Sequence, residues 1–146
     1  MLKRLLFVTP AILAIGVGAL PMAGAATHKV FVARSIVNGQ LAYKPHQIVL
    51  SADGTFSVNR IRWLRYGGPL ALGTGRAYAR GCRPSCAEGR VFRPRATLRL
   101  TRVIKCEGRY IYARLRFALR GHIPTGFHRR GSYPMRPTDE SGEPAC

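Results

Sequence analysis

The chain has 146 residues, with 24 Lys and Arg against six Asp and Glu, a formal net charge of +18. So few carboxylates leave little material for chemistry that needs paired acids. The same balance makes the surface repel itself and attract anions.

The N-terminus reads as a secretory signal peptide. Lys3 and Arg4 form a short positive region, Leu5 to Leu20 an apolar run broken only by Thr9 and Pro10, and Ala23-Gly24-Ala25 a small-residue cleavage site. That run is shorter than the roughly 18 to 20 residues a membrane span needs, and no later segment is long and apolar enough to span. No cysteine follows it closely, which argues against a lipoprotein. Cleavage is expected after Ala25, and loss of Lys3 and Arg4 lowers the charge from +18 to +16. The expected organisation is a signal peptide at 1–25, a disulfide-stabilised β domain at 26–120 and a Pro/Gly-rich tail at 121–146.

Period-two patterns dominate after residue 45, and helical periods are hard to find. Gln47 to Leu50 and Phe56 to Arg60 flank Asp53-Gly54, a hairpin signal because both turn residues tolerate positive φ. Ile61 to Arg65 follows, closed by Gly67-Gly68-Pro69. Gly73 and Gly75 inside Leu70 to Ala79 suggest a bulge or a close approach of backbones. In Thr97 to Thr101 the leucines take one face. In Ile111 to Leu119, the set Ile111, Ala113, Leu115, Phe117 and Leu119 alternates with Tyr112, Arg114, Arg116 and Ala118, giving one apolar and one basic face. Short strands between turns predict an all-β fold, an antiparallel sandwich or partly open barrel of about 6–8 strands.

The four cysteines, Cys82, Cys86, Cys106 and Cys146, all follow the leader, and an even count in an exported chain reads as disulfides. Pro84 favours a reversal between Cys82 and Cys86 that can bring them together or present both toward Cys106. On the chain-entropy account, a five-residue loop gains about 2 kcal/mol and one of roughly 25 residues about 3.5. That small difference does not choose among the three possible pairings; the preferred one joins Cys82 or Cys86 to Cys106 and leaves the other for Cys146. Zinc would need Cys82, Cys86 and Cys106 with one of His28, His46, His122 or His128, yet structural zinc ligands usually come in two close pairs and only one exists. A redox pair needs two intervening residues and a following helix. No metal and no cofactor is expected.

The basic residues lead to the candidate site. Arg114 and Arg116 beside Tyr110 and Tyr112, with Arg99 on the preceding strand, give the cation–aromatic interleaving of polyanion binders. The 20 Arg against four Lys also follow from the codon usage of a GC-rich genome, so charge alone does not define a site. An exported chain meets little nucleic acid; it meets phosphate-bearing wall polymers and anionic lipid head groups. No catalytic residue is assigned. Asp53 is accounted for by its turn, Glu88 and Glu107 are far apart in sequence, and His122 and His128 flank a Gly/Pro loop. Gly73-Thr74-Gly75-Arg76 lacks the Lys-Ser/Thr that completes a phosphate cradle. Trp63 reads as a core filler rather than a ligand platform.

Several motifs together resemble a family of small exported actinobacterial proteins. They are Pro45, Ile48, Leu50 and Asp53-Gly54; Trp63 and Tyr66-Gly67-Gly68; Ala71, Gly73 and Gly75; Gly81-Cys82-x-Pro84-x-Cys86-Ala87-x-Gly89; and Cys106-x-Gly108 with Tyr112 and Leu115. The likeness covers about residues 45 to 119. It implies export and a β-rich domain held by disulfides, and carries no activity with it. The expectation is a secreted, non-enzymatic protein that binds anionic polymers of the cell envelope. A small secreted enzyme and a protein-binding inhibitor or toxin-like factor are the alternatives.

Overall fold

The computed structural model describes residues 28–37, 39–137 and 146. The expected signal peptide and the acidic residues Asp139, Glu140 and Glu143 lie outside them. Nine strands and no helix occur among the described residues: β1 (Val30–Ala33), β2 (Leu41–Ala42), β3 (Gln47–Val49), β4 (Phe56–Arg65), β5 (Ala71–Arg80), β6 (Val91–Phe92), β7 (Arg95–Cys106), β8 (Arg109–Arg120) and β9 (Arg130–Pro134). They form one sheet in the order β2-β1-β8-β7-β5-β4-β3, with β6 added to β5 and β9 to β8. The all-β fold and the partly open barrel expected from the sequence are both present: the sheet curls into an open half-barrel around its core.

Two departures from an antiparallel pattern sit at the ends of the curl. β1 runs parallel to β8, Val30 opposite Tyr110. Just past β1, Ser35 makes an isolated parallel bridge to Val49 of β3, with N–H donors from Val49 to Arg34 O at 2.8 Å and from Ile36 to Val49 O at 3.2 Å. One short segment therefore touches both ends of the sheet. Its pairing partners are remote in sequence, so no local pattern announces them.

The hairpin at Asp53-Gly54 forms as its residues dictate. Gly54 has φ 72°, and Asp53 Oδ1 accepts from the Thr55 N–H at 3.1 Å and hydroxyl at 2.7 Å. These bonds, the side-chain one foremost, hold the Asp53 carboxyl below its usual range. β4 then bulges. Arg60 has φ 52°, and the register with β5 shifts between Asn59 and Arg62. Phe56 and Val58 face the core before the bulge, Ile61 and Trp63 after it. The bulge needs the glycines opposite: a Cβ on Gly75 would stand 2.8 Å from Asn59 O, and one on Gly73 2.8 Å from the Trp63 ring. This is the backbone approach that Gly73 and Gly75 signalled.

The core is filled by Ile48, Leu50, Val58, Ile61, Leu98, Leu100 and Leu115, all fully buried. Phe56 packs edge-on against Phe117 at 5.1 Å and Phe127 at 5.6 Å. Part of the expected tail belongs to this fold. β9 pairs with β8 from Arg130–Ala118 to Pro134–Arg114, and Met135 is buried, its N–H donating to Ala113 O at 3.0 Å. A five-residue strand between prolines carries too little periodicity to stand out in sequence.

All four cysteines are in disulfides, but not in the pairing preferred from the sequence. Cys82 bonds Cys86, and Cys106 bonds Cys146. Leu100 pairs with Ala71 at the start of β5, and Val91 pairs with Arg80 at its end. Cys106 therefore lies beyond one end of β5 and Cys82 beyond the other, whereas a disulfide needs Cα atoms within about 7 Å. The Cys106–Cys146 Cα separation is 5.6 Å across 40 residues of sequence. That long loop makes it the stronger staple, about 4 kcal/mol against about 2 for the short one on loop entropy. Replacing Cys106 and Cys146 by Ser is expected to lower unfolding free energy by roughly 2–4 kcal/mol, and the matching change at Cys82 and Cys86 by about 2 or less. Urea titration of the two double variants measures both, and an equal loss would remove the distinction.

Candidate polyanion interface

On β7 and β8 the alternation separates two chemistries. Leu98, Leu100, Leu115, Phe117 and Leu119 are buried, while Arg95, Arg99, Arg114, Arg116 and Arg120 are exposed. The register then lines the arginines up across strands. Arg99 stands opposite Arg116, Arg95 opposite Arg120, and Thr101 opposite Arg114. On the other side of β7, Arg76 of β5 stands opposite Arg95, which makes a row of three cationic positions across three strands. Arg130 faces Ala118 from β9, and Arg62 of β4 faces Thr74 of β5.

No carboxylate occurs in β4, β5, β7, β8 or β9. Asp53, Glu88 and Glu107 all sit in the connections between strands. Like charges placed directly opposite on a sheet destabilise it by some tenths of a kcal/mol per pair. Among the described residues, the guanidinium groups with protein hydrogen-bond acceptors are those of Arg80, Arg129 and Arg136. The cross-strand arginines thus present their donor forks to solvent, a geometry suited to phosphate and carboxylate oxygens.

Of the residues selected from sequence, Arg99, Arg114 and Arg116 come together on this face. Tyr112 and Tyr110 do not join them. Arg102, opposite Ala113, has φ 61°, and the ladder passes from Thr101–Arg114 to Val103–Tyr112 without the pair between. Past this point the core lies on the Tyr112 side of the hairpin, and Tyr112 is fully buried. Its hydroxyl accepts from Gly67 N–H at 3.1 Å and donates to Gly68 O at 3.0 Å, clamping the β4–β5 loop. Burial pushes its pKa up, partly offset by the Gly67 N–H. Tyr110 is half-buried and stacks on His28 at 4.7 Å beside β1. Strict alternation places Tyr112 with the arginines, and only the positive φ at Arg102 reveals otherwise. Arg62, Arg76, Arg95, Arg120 and Arg130 join the face through pairing that is not local.

The remaining candidates are structural or dispersed. Trp63 is half-buried, donates from Nε1 to Pro45 O at 3.0 Å and meets Tyr66 at 4.8 Å between centroids. Tyr66 in turn touches Tyr43 and Tyr112, and burial raises its pKa. Gly73 to Arg76 is regular strand, not a phosphate-cradling turn. His122 and His128 are exposed. Among the described residues no three His, Cys, Asp or Glu side chains gather as a metal site would need, and no helix is long and apolar enough to cross a membrane.

No family model matches the chain, and neither does any curated protein or solved structure. The functional reading therefore rests on geometry. Tyr112→Phe is expected to lower stability by about 1 kcal/mol, because it leaves the Gly67 N–H without its acceptor. It should leave anion binding by the arginine face unchanged. Chemical denaturation and a binding titration on one variant check both; a loss of binding without loss of stability would return Tyr112 to the site.

Proposed function

We propose that the protein is a secreted, non-enzymatic binding module whose arginine-covered sheet face holds anionic polymers of the cell envelope. One observation carries this reading: Arg99, Arg114 and Arg116 project together from two paired strands, flanked by Arg95, Arg120 and Arg130, on strands without a carboxylate. The stiff sheet fixes the spacing of the cationic side chains in advance, so that only those side chains and the polymer are ordered on association. Polymer binding releases the counterions condensed on the polymer, so affinity falls as salt rises. The two disulfides support a location outside the reducing cytoplasm, where such bonds persist. Wall polymers with phosphodiester backbones and surfaces rich in anionic head groups are the ligands this face suits.

The test is binding of the mature protein to a purified glycerol-phosphate wall polymer across a salt series. Affinity is expected to fall by about tenfold or more between roughly 50 and 200 mM salt. The variant Arg99→Gln/Arg114→Gln/Arg116→Gln should bind more weakly and with a shallower salt slope. Binding that ignores salt, or that survives in the triple variant with its slope intact, contradicts the proposal.

A further inference from the structure

Between β6 and β7 the chain runs through Arg93-Pro94 beside β5 in unchanged register. The ladder to β5 continues through this point, because Ala77 N–H donates to Pro94 O at 2.9 Å and Pro94 is buried. Beside this segment lies a groove of about 690 Å³, lined by Arg76, Arg90, Arg93, Arg95 and Arg120 together with His122. Its apolar lining comes from Val91, Phe92 and Pro94. A second cavity of about 480 Å³ shares Arg76 and Arg93 and adds Arg60 and Tyr78. Neither lining contains a carboxylate or a lysine.

Arg76, Arg95 and Arg120 enter this groove as a cross-strand row. Adjacent strands are roughly 4.8 Å apart, so the three stems span on the order of 10 Å. Arg90 lies over the Phe92 ring at 5.6 Å from its centroid, which leaves the guanidinium edge free to donate. Among the described residues, none of the five groove guanidinium groups has a carboxylate or carbonyl partner within the protein. The apolar lining from Val91, Phe92 and Pro94 lowers the local dielectric beside these cations and strengthens their field. A monovalent anion would answer one guanidinium and leave the rest repelling one another. An anion with several phosphoryl groups answers the row at once, each fork donating to two oxygens of one group.

We propose that this groove is a binding site for a phosphate-dense anion, one carrying two or more phosphoryl groups in a single molecule. It goes beyond the polymer-binding face: it shares the flanking Arg76, Arg95 and Arg120 with that face, adds Arg90 and Arg93, and does not use Arg99, Arg114 or Arg116. The shared chemistry fits both a free oligophosphate and a phosphate-bearing end of an envelope polymer.

Calorimetric titration of the mature protein with inorganic tripolyphosphate, orthophosphate and a glycerol-phosphate polymer tests the site. Tripolyphosphate is expected to bind with one-to-one stoichiometry and at least about tenfold more tightly than orthophosphate. Arg95→Gln/Arg120→Gln should weaken tripolyphosphate by about tenfold or more, while Arg95→Lys/Arg120→Lys, which keeps charge but loses the fork, loses an intermediate amount. Arg99→Gln/Arg116→Gln should leave tripolyphosphate binding unchanged. An unchanged circular dichroism spectrum keeps each variant interpretable. Prior saturation with tripolyphosphate separates the sources: it displaces the polymer only if the polymer's end uses the groove. Equal affinity for tripolyphosphate and orthophosphate, unsaturable binding, or indifference to Arg95→Gln/Arg120→Gln overturns the groove. A native protein that binds tripolyphosphate but not the polymer would instead overturn the polymer-face reading alone.

Discussion

The register of β7 against β8 is the constraint on which both halves of this protein depend. Leu98 opposite Phe117 and Leu100 opposite Leu115 build the interior, and the same alignment sets Arg99 beside Arg116 and Arg95 beside Arg120 outside. A slip of one residue would exchange the two faces, burying guanidinium groups and exposing leucines. Core and cationic face are therefore one structural decision. Magnitudes show why the sheet tolerates it. Burying a Leu or Phe side chain stabilises by about 1.5–3 kcal/mol, whereas a like-charge cross-strand pair costs about 0.2–1. Burial wins several times over, and the arginine rows are a tax the interior can carry.

What the strands do not carry, the cysteines and irregular residues do. A curled sheet must change which residues face inward, and it does so at two positive-φ arginines, Arg60 in β4 and Arg102 in β7. The first is admitted by the missing side chain of Gly75, with Trp63 then settling over Gly73. The second turns Tyr112 into the core, where it ties β8 to the β4–β5 loop. The Cys106–Cys146 bond fixes the last residue of the chain to the end of β7. The short Cys82–Cys86 ring ties only its own loop, next to Arg80, whose guanidinium reaches Tyr78 and the Ala87 carbonyl.

Much of this was legible in the residues wherever the determining contacts are local. The Asp53-Gly54 turn, the leucine alternation of β7 and the long alternation of β8 follow from φ preferences and a period of two. The glycines at 73 and 75 pointed to a close backbone approach before the partner was known. Illegible were the contacts between distant segments: the parallel seating of β1 on β8, β9 hidden among prolines, and the disulfide pairing. Loop entropy could not choose that pairing, because the rigid length of β5, not chain flexibility, decides which cysteines meet. For the site, alternation found Arg99, Arg114 and Arg116 but also chose Tyr112, since nothing local marks Arg102 as left-handed. Arg76 and Arg120 escaped notice because they belong together only through β7.

The most direct measurement is a double-mutant cycle between positions 99 and 116, using Arg99→Thr, Arg116→Thr and the double variant, read by urea unfolding at low and high salt. If the register sets these two cations side by side, the native pair shows an unfavourable coupling of about 0.2–1 kcal/mol at low salt that fades toward zero on screening. A coupling of zero at both salts, or one that is favourable, would mean that the arginines are not neighbours and that the cationic face is not built as described.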